Sequence, residues 1–410
     1  MTSSAVPLPS PIRGNEPGSF PWRVLHQRHP ELIRRVREAH PYPPVTRQAL
    51  QRLLEEITTG AISPLPDDAY DREQWRHWER GYLGLSWFDV PFLWAESYFY
   101  RRLLEAVGYF ADGPWRGIDP FGPAKAAELA DASALATELA ALGEVVSLPE
   151  PQRWPTLLRA ALWGNRADLG FRISDPGVDS RDRVTDLIVD DSAQMTEWLT
   201  STAPGPVCLV ADNAGRELLP DLILIDHLLH TGLAERVELH VKPYPYFVSD
   251  ATTADVIECL RQLLSGPEPV VEAGRRLWRA LSDGGLEIYT HSFYRAPLSY
   301  HDLPANLADR FARARLTIMK GDLNYRRLVG DRHWPATSTF EELTAYFPGP
   351  VATLRTLKSD VIVGLDEATL AALEASGANW RTSGTHALIQ ARLAPASDDT
   401  TRSEGYAQTV

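Results

Sequence analysis

Between about Trp22 and Gly170, apolar residues recur at three- and four-residue intervals, as in VLHQRHPELIRRVREAH and TRQALQRLLEEITTG. That spacing gathers them on one face of an α-helix. The stretch AKAAELADASALATELAAL adds high intrinsic helix propensity. PFLWAESYFYRRLLEAVGYF is helical in pattern but aromatic, and sets Glu96, Tyr100 and Arg101 among bulky apolar neighbours. Beyond this region the pattern changes. Short apolar or β-branched runs (PVCLVAD, VELHVKP, LEIYTHS, RLTIMKG, ATLRTLK) alternate with the amphipathic segments GRELLPDLILIDHLLHTG, TTADVIECLRQLLSG, ANLADRFARAR and DEATLAALEASG. Such alternation predicts an α/β fold: a mostly parallel sheet with helices on both faces, preceded by an N-terminal α-helical region. The boundaries drawn from composition are a disordered N-terminus at 1–18, a helical region at 19–170, an α/β domain at 171–393 and a disordered tail at 394–410.

Charge and cysteine usage narrow the function. The 410 residues carry a formal net charge of −13, which argues against a nucleic-acid partner, since that needs a basic face to replace counterions. No apolar run is long enough to span a membrane, and residues 1–20 lack a charged segment followed by an apolar one. The expectation is a cytoplasmic protein with no membrane partner; its oligomeric state is open. Cys208 and Cys259 lie in apolar runs and read as small buried hydrophobes, and two cysteines cannot build a zinc site of the all-cysteine kind. His227 and His230, at i, i+3 on a helix, and His240 on a strand are read as structural, because no carboxylate or cysteine pattern completes a zinc site.

In a parallel sheet, ligands bind outside the carboxyl ends of the strands. PVCLVAD runs into Asp212-Asn213-Ala214-Gly215-Arg216-Glu217. Adjacent strand residues face opposite ways, so Asp212 and Asn213 converge only where the backbone turns, and Gly215 permits that. Both bring oxygen, the donor that hard dications prefer; equally, Asn213 could cap the next helix and Asp212 complement its dipole. After VELHVKP the loop YPYFVSD ends at Asp250, a second carboxylate at the same edge. A third strand ends at Lys320, followed by Gly321 and Asp322, where a lysine beside free helix-start amides suits a phosphate; the plain alternative is a solvated turn. Leu354-Arg355-Thr356-Leu357-Lys358 closes a fourth strand, with Thr356 and Lys358 on one face and Arg355 on the other. A hard-metal site and a cationic anion site at one edge favour phosphoryl chemistry. Asp221 and Asp226, along the helix after the first of these loops, read as outward-facing residues or helix-internal partners.

Asp-Asn-x-Gly-x-Glu-Leu at 212–218, Phe-Val-Ser-Asp at 247–250, Lys-Gly-Asp-Leu-Asn-Tyr-Arg at 320–326 and Arg-Thr-Leu-Lys at 355–358 resemble the motifs of the damage-control phosphatase family, formerly domain of unknown function 89. The Arg-Thr-x-Lys element resembles its third subfamily, the one labelled acidic-residue methyltransferase-like. The resemblance runs from about residue 20 to 393. It implies a metal-dependent phosphatase acting on a small sugar phosphate, fructose 1-phosphate-like compounds among them. It implies Asp212, Asn213 and Asp250 as ligands of Mn²⁺, Co²⁺, Ni²⁺ or Mg²⁺. It implies Glu217, Asp322, Leu323, Asn324, Tyr325, Arg326 and Lys358 as substrate contacts, with Lys320 an additional phosphate ligand. Asp212, Asp322 and Glu217 are then the candidate catalytic carboxylates, the last two as the base. Glu96, Arg101 and Asn165 are expected to close over the sugar. Two other classes stand beside this one: an S-adenosylmethionine-dependent carboxyl methyltransferase, for which the single Gly215 is a poor cofactor loop, and a non-catalytic sugar-phosphate binder.

Overall fold

The alternating runs build one seven-stranded sheet in the order β1-β7-β6-β5-β2-β3-β4. The strands are β1 Leu187–Asp190, β2 Pro206–Val210, β3 Arg236–Val241, β4 Leu286–Thr290, β5 Leu316–Lys320, β6 Val351–Thr356 and β7 Ala387–Arg392. Neighbours run parallel except β6 and β7, which are antiparallel. This is a computed structural model, and it describes residues 8–164, 187–377 and 379–393. The tail expected to be disordered at 394–410 and residues 1–7 lie outside the described residues.

Central strands of a sheet covered on both faces are apolar throughout, and all five residues of β5 are buried, Thr317 and Lys320 included. Along β2, alternation sends Val207 and Leu209 into one core and Cys208 and Val210 into another. The first core also takes Leu139 and Leu142 of the helix Ala132–Val146, Leu157 and Leu158 of Glu150–Trp163, and Leu222 and Ile225 of Leu218–His230. The second takes Phe99 and Leu103 of the aromatic helix Phe92–Ala106. Each core therefore mixes residues from either side of the boundary drawn at 170/171, so that boundary separates chain segments and not hydrophobic cores.

Three expectations need correction. Residues 8–10 and 11–18 do not stand free: Ile12 is buried, its N–H reaches Asp331 O at 3.1 Å, and its carbonyl accepts from Phe92 N at 2.8 Å. One apolar side chain and two backbone bonds tie down a segment whose composition suggests disorder. Two strands lie beyond the five runs of the sequence: β1, only four residues long, and β7, which returns antiparallel outside the strand–helix rhythm. Asp221 and Asp226 are neither outward-facing nor partnered within their helix; both are buried and paired with cations from elsewhere, Asp221 with Lys320 and Asp226 with Arg276.

The strand order reverses between β2 and β5. From β2 the chain steps outward to β3 and β4, and from β5 it steps the other way to β6. A crevice at the carboxyl ends of two such strands is where an open α/β sheet takes its ligand.

Candidate active site in the crevice between β2 and β5

The segments that follow β2 and β3 are stitched together by backbone. Ala251 N–H donates to Asp212 O at 2.9 Å, Ala214 N–H donates to Ser249 O at 2.7 Å, and Asn213 and Asp250 form an isolated antiparallel bridge. Reaching that bridge forces the loop into an uncommon shape. Phe247 and Val248 have φ of 51° and 64°, the left-handed region that L-residues avoid, β-branched ones most. The Phe247 ring stacks on Tyr100 of the aromatic helix at 4.7 Å, so the N-terminal region braces the turn.

Asp212 lies over Gly321, the first residue of the helix Gly321–Val329 that follows β5. Gly321 has φ of 82°, and a Cβ built there would overlap the Asp212 carboxylate. Glycine thus serves twice: it takes the left-handed conformation and leaves room for the acid. Burial pushes the Asp212 carboxyl well above its ordinary value; the charges of Glu217 and Asp250 add to the shift, while Lys358 and Lys320 oppose it. Burial also raises the Asp250 carboxyl to about 6, against the pull of Lys242. Asp250 Oδ2 sits 3.3 Å from Lys242 Nζ and is a buried oxygen with no hydrogen-bond partner.

Asn213 joins the group. Its Nδ2 donates to Asp212 Oδ2 at 3.1 Å and to Glu217 Oε2 at 2.9 Å, and its Oδ1 accepts from Ser249 Oγ at 2.6 Å. Glu217 packs on Gly164, where φ is 41° and a Cβ would overlap the glutamate side chain. Three carboxylates and an amide thus share one partly buried corner. Such a donor set fits a hard dication: Asp212 and Asp250 supply charge, the orphaned Asp250 oxygen supplies a free lone pair, and a half-turn of the Asn213 amide would offer Oδ1 in place of Nδ2.

In front of this corner opens a cleft of about 280 Å³, lined by Asn213, Glu217, Ser249, Thr356, Lys358 and Trp163 among others. Thr356 and Lys358 share the cleft, whereas Arg355 points the opposite way and is wholly buried. Glu128 also reaches the cleft from the helix Gly122–Ala130, its Oε1 accepting from Arg216 N–H at 3.1 Å. The sequence assigns no site role to Glu128, Trp163 or Ser249, although Ser249 stands within the Phe-Val-Ser-Asp motif. Ser249 is the one with a local signal, being adjacent to Asp250; Glu128 and Trp163 come from helices whose pattern shows only amphipathicity.

The remaining sequence candidates are placed differently. Lys320 Nζ is buried and donates to Asp221 Oδ1 and Ala161 O, each at 2.5 Å. Asp322 Oδ1 takes Arg355 Nε and Ser359 Oγ, each at 2.9 Å. Burial pushes the Asp322 carboxyl up, but Arg355 and then Arg326 outweigh it and hold it below its ordinary value. Asn324 Nδ2 donates to Ala211 O at 3.1 Å and Lys320 O at 2.8 Å, fastening β5 to the end of β2. Leu323 is buried, and Tyr325 Oη donates to Gln390 Oε1 at 3.0 Å. Arg326 is held by Glu96 at 2.7 Å and Asp331 at 2.8 Å. Arg101 is bonded to Asp71 and Glu105, each at 2.8 Å, in a network that Asp71 shares with Arg295. None of the side chains of Lys320, Asp322–Arg326, Glu96 or Arg101 lines the cleft, so the closure expected of Glu96 and Arg101 gives way to a framework of ion pairs behind it. Asn165 lies outside the described residues.

Comparison with known proteins gives the family. The family model described as the damage-control phosphatase ARMT1-like domain matches residues 24–373. The chain is 32% identical over 380 residues to a Danio rerio protein named damage-control phosphatase ARMT1, covering 83% of this chain and 84% of that one. It is 30% identical to the Mus musculus protein of the same name, over 93% of this chain and 98% of the relative. Among solved structures, a DUF89 family protein of Pyrococcus horikoshii superposes with a TM-score of 0.48 at 14% identity, covering 92% of this chain and 98% of that one. With a family model spanning most of its length and relatives near one-third identical across it, the chain belongs to the ARMT1-like damage-control phosphatase family.

Proposed function

We propose that this protein is a divalent-metal-dependent phosphomonoesterase acting on a small sugar phosphate of the fructose 1-phosphate kind, or on a related damaged phosphometabolite, in the cytoplasm. The observation that carries the reading is the carboxylate corner: burial and the charge of Glu217 raise the proton affinity of both Asp212 and Asp250, and Asp250 adds to the shift of Asp212, behind a polar cleft that holds the exposed Lys358. Carboxylates so crowded call for a cation, and a phosphate ester is a ligand that accepts both a cation and an ammonium. The names of the relatives support the phosphatase class.

In this reading Asp212, Asn213 and Asp250 hold Mn²⁺, Co²⁺, Ni²⁺ or Mg²⁺. When bound, the metal offsets charge on the phosphoryl oxygens and makes phosphorus more electrophilic. The chain's own groups do the rest. Lys358 Nζ and the Thr356 hydroxyl, which line the cleft, bind phosphate oxygens. Glu217 keeps Oε2 on Asn213 and uses Oε1 to accept the proton of the attacking water. Asp322, held ionised by Arg355, suits a positioning role better than that of a base. Trp163 and Glu128 bound the side of the cleft where the sugar would lie, one offering an apolar face and the other an acceptor for hydroxyls.

The test is a screen of sugar phosphates with Mn²⁺, Co²⁺, Ni²⁺ and Mg²⁺ supplied separately, repeated on Asp212→Asn and Asp250→Ala. Metal-dependent hydrolysis that both substitutions abolish supports the reading. Full activity in both variants refutes the proposed ligands. Methyl transfer from labelled S-adenosylmethionine with no hydrolysis under any metal would replace the reading altogether.

A further inference from the structure

Away from the cleft, three side chains of metal-binding type meet on the face of the sheet turned toward the aromatic helix. Cys208 of β2 stands opposite Glu238 of β3 in the parallel register, and His240 follows two residues later on the same face. Cys208 Sγ lies 3.7 Å from Glu238 Oε2, and His240 Nε2 lies 3.6 Å from the same oxygen. All three ligand atoms fall within 4.8 Å of one another, and all three residues are buried. A tetrahedral ion with bonds of about 2.0–2.3 Å separates its ligands by roughly 3.4–3.7 Å; the two separations from Glu238 Oε2 match this, and that between Cys208 and His240 falls within 4.8 Å.

The histidine carries a second and independent sign. His240 Nε2 is a buried nitrogen without a hydrogen-bond partner. Its Nδ1 pairs with the Tyr294 hydroxyl. If Nδ1–H donates to the tyrosine oxygen, Nε2 presents a lone pair to the cysteine and glutamate, the arrangement by which an outer partner orients a ligating imidazole.

We propose that Cys208, Glu238 and His240 form a second metal site that takes a borderline-soft dication such as Zn²⁺ or Co²⁺. The donor set of one sulfur, one nitrogen and one oxygen separates it in chemistry from the all-oxygen-type corner at Asp212. It is also set back in the chain: Cys208 lies within β2, and Asp212 lies two residues past the strand's end at Val210. Too few cysteines for an all-cysteine site does not preclude a mixed one, and the mixture was invisible in sequence because its members lie on two strands.

Binding has two costs. Arg310 Nη1 now donates to Glu238 Oε2 at 2.7 Å and must turn away. It has a second carboxylate to turn to, Glu287 at 3.6 Å, at the expense of shifting a guanidinium that stacks over the Tyr289 ring at 3.9 Å. Arg236 stays on the other oxygen, Oε1, at 2.8 Å. The Cys208 thiol must also release its proton to solvent as the sulfur–metal bond forms, so affinity rises with pH. Once bound, the ion ties β2 to β3, the two strands that deliver Asp212 and Asp250.

The experiment is a Co²⁺ titration of the reduced, full-length protein followed by absorption. The expected result is a near-ultraviolet sulfur-to-cobalt charge-transfer band that saturates at one equivalent. It should be lost in Cys208→Ser and kept in Asp250→Ala. A band that survives Cys208→Ser, or one that vanishes with Asp250→Ala, overturns the assignment. Should Cys208→Ser fail to fold, X-ray absorption on the zinc-loaded wild-type protein decides alone: one sulfur scatterer at about 2.3 Å supports the site, and a shell of only oxygen and nitrogen refutes it.

Discussion

Lys320→Met is the most informative single substitution, because it separates a phosphate ligand from a buried structural cation. The lysine and Asp221 side chains are each 1% exposed, and their ion pair spans 2.5 Å. Lys320 also satisfies the Ala161 carbonyl, while Asp221 Oδ2 already lacks a partner. Removing the cation leaves a carboxylate buried and uncompensated, a change that costs about 3–5 kcal/mol. Burial has already raised the Asp221 carboxyl to about 6 despite the lysine, so without it the acid takes up a proton more readily still. The loss should therefore be larger at pH 8 than at pH 5. Replacing both partners, as Lys320→Met with Asp221→Leu, should recover most of the stability, since an apolar pair of similar volume is often neutral. Urea unfolding at the two pH values, extrapolated to water, gives these quantities. Activity of the double variant then shows whether the lysine also touches substrate. A loss below about 0.5 kcal/mol for the single substitution, the size seen at ordinary surface positions, together with a raised KM, would refute the structural role and return Lys320 to the phosphate.

Gly321→Ala places a methyl group on the Asp212 carboxylate at a left-handed position, and should cost at least the ~1–2 kcal/mol of the backbone conformation; thermal unfolding reads the stability loss, and wild-type activity would mean that Asp212 has room to spare. Lys358→Ala should raise KM for a phosphate ester while moving stability by less than about 0.5 kcal/mol, as for other exposed positions; steady-state kinetics that leave KM unchanged count against the anion-binding role. Glu138 is buried, and burial pushes its carboxyl up to about 7 from an ordinary 4.5 while Arg216 opposes the shift. A raised carboxyl favours the folded state only while protonated, so its penalty appears as pH rises from 4.5 through 7, reaching up to about 3 kcal/mol. Glu138→Gln should thus stabilise the protein at pH 8 and change little at pH 4.5, and equal effects at both would sink the argument.

The rhythm of β2 to β6 was legible because short apolar runs bounded by turn residues alternate with longer amphipathic segments; β1 and β7 lie outside it. The corner of Asp212, Asn213 and Asp250 was legible for a related reason: once the strands are drawn, their carboxyl ends must share an edge. The polar run Lys320 to Arg326 was harder to judge. Its charges look like ligands in sequence, yet their partners Asp221, Glu96 and Arg355 sit on other elements, and Glu96 is separated from Arg326 by 230 positions. Local pattern reports that a charge exists, and only the fold reports what neutralises it. The same limit hid Glu128 and Trp163, which reach the cleft from helices of the first half.

The left-handed turn at Phe247 and Val248 leans on Tyr100, a residue well over a hundred positions earlier in the chain. A shortened protein that starts at β1 would keep every strand and still lose the surface that turn rests against. Asp250 would then drift with its loop. Any attempt to graft this sheet onto another scaffold, or to trim it to a minimal catalyst, must carry the aromatic helix along as part of the tool.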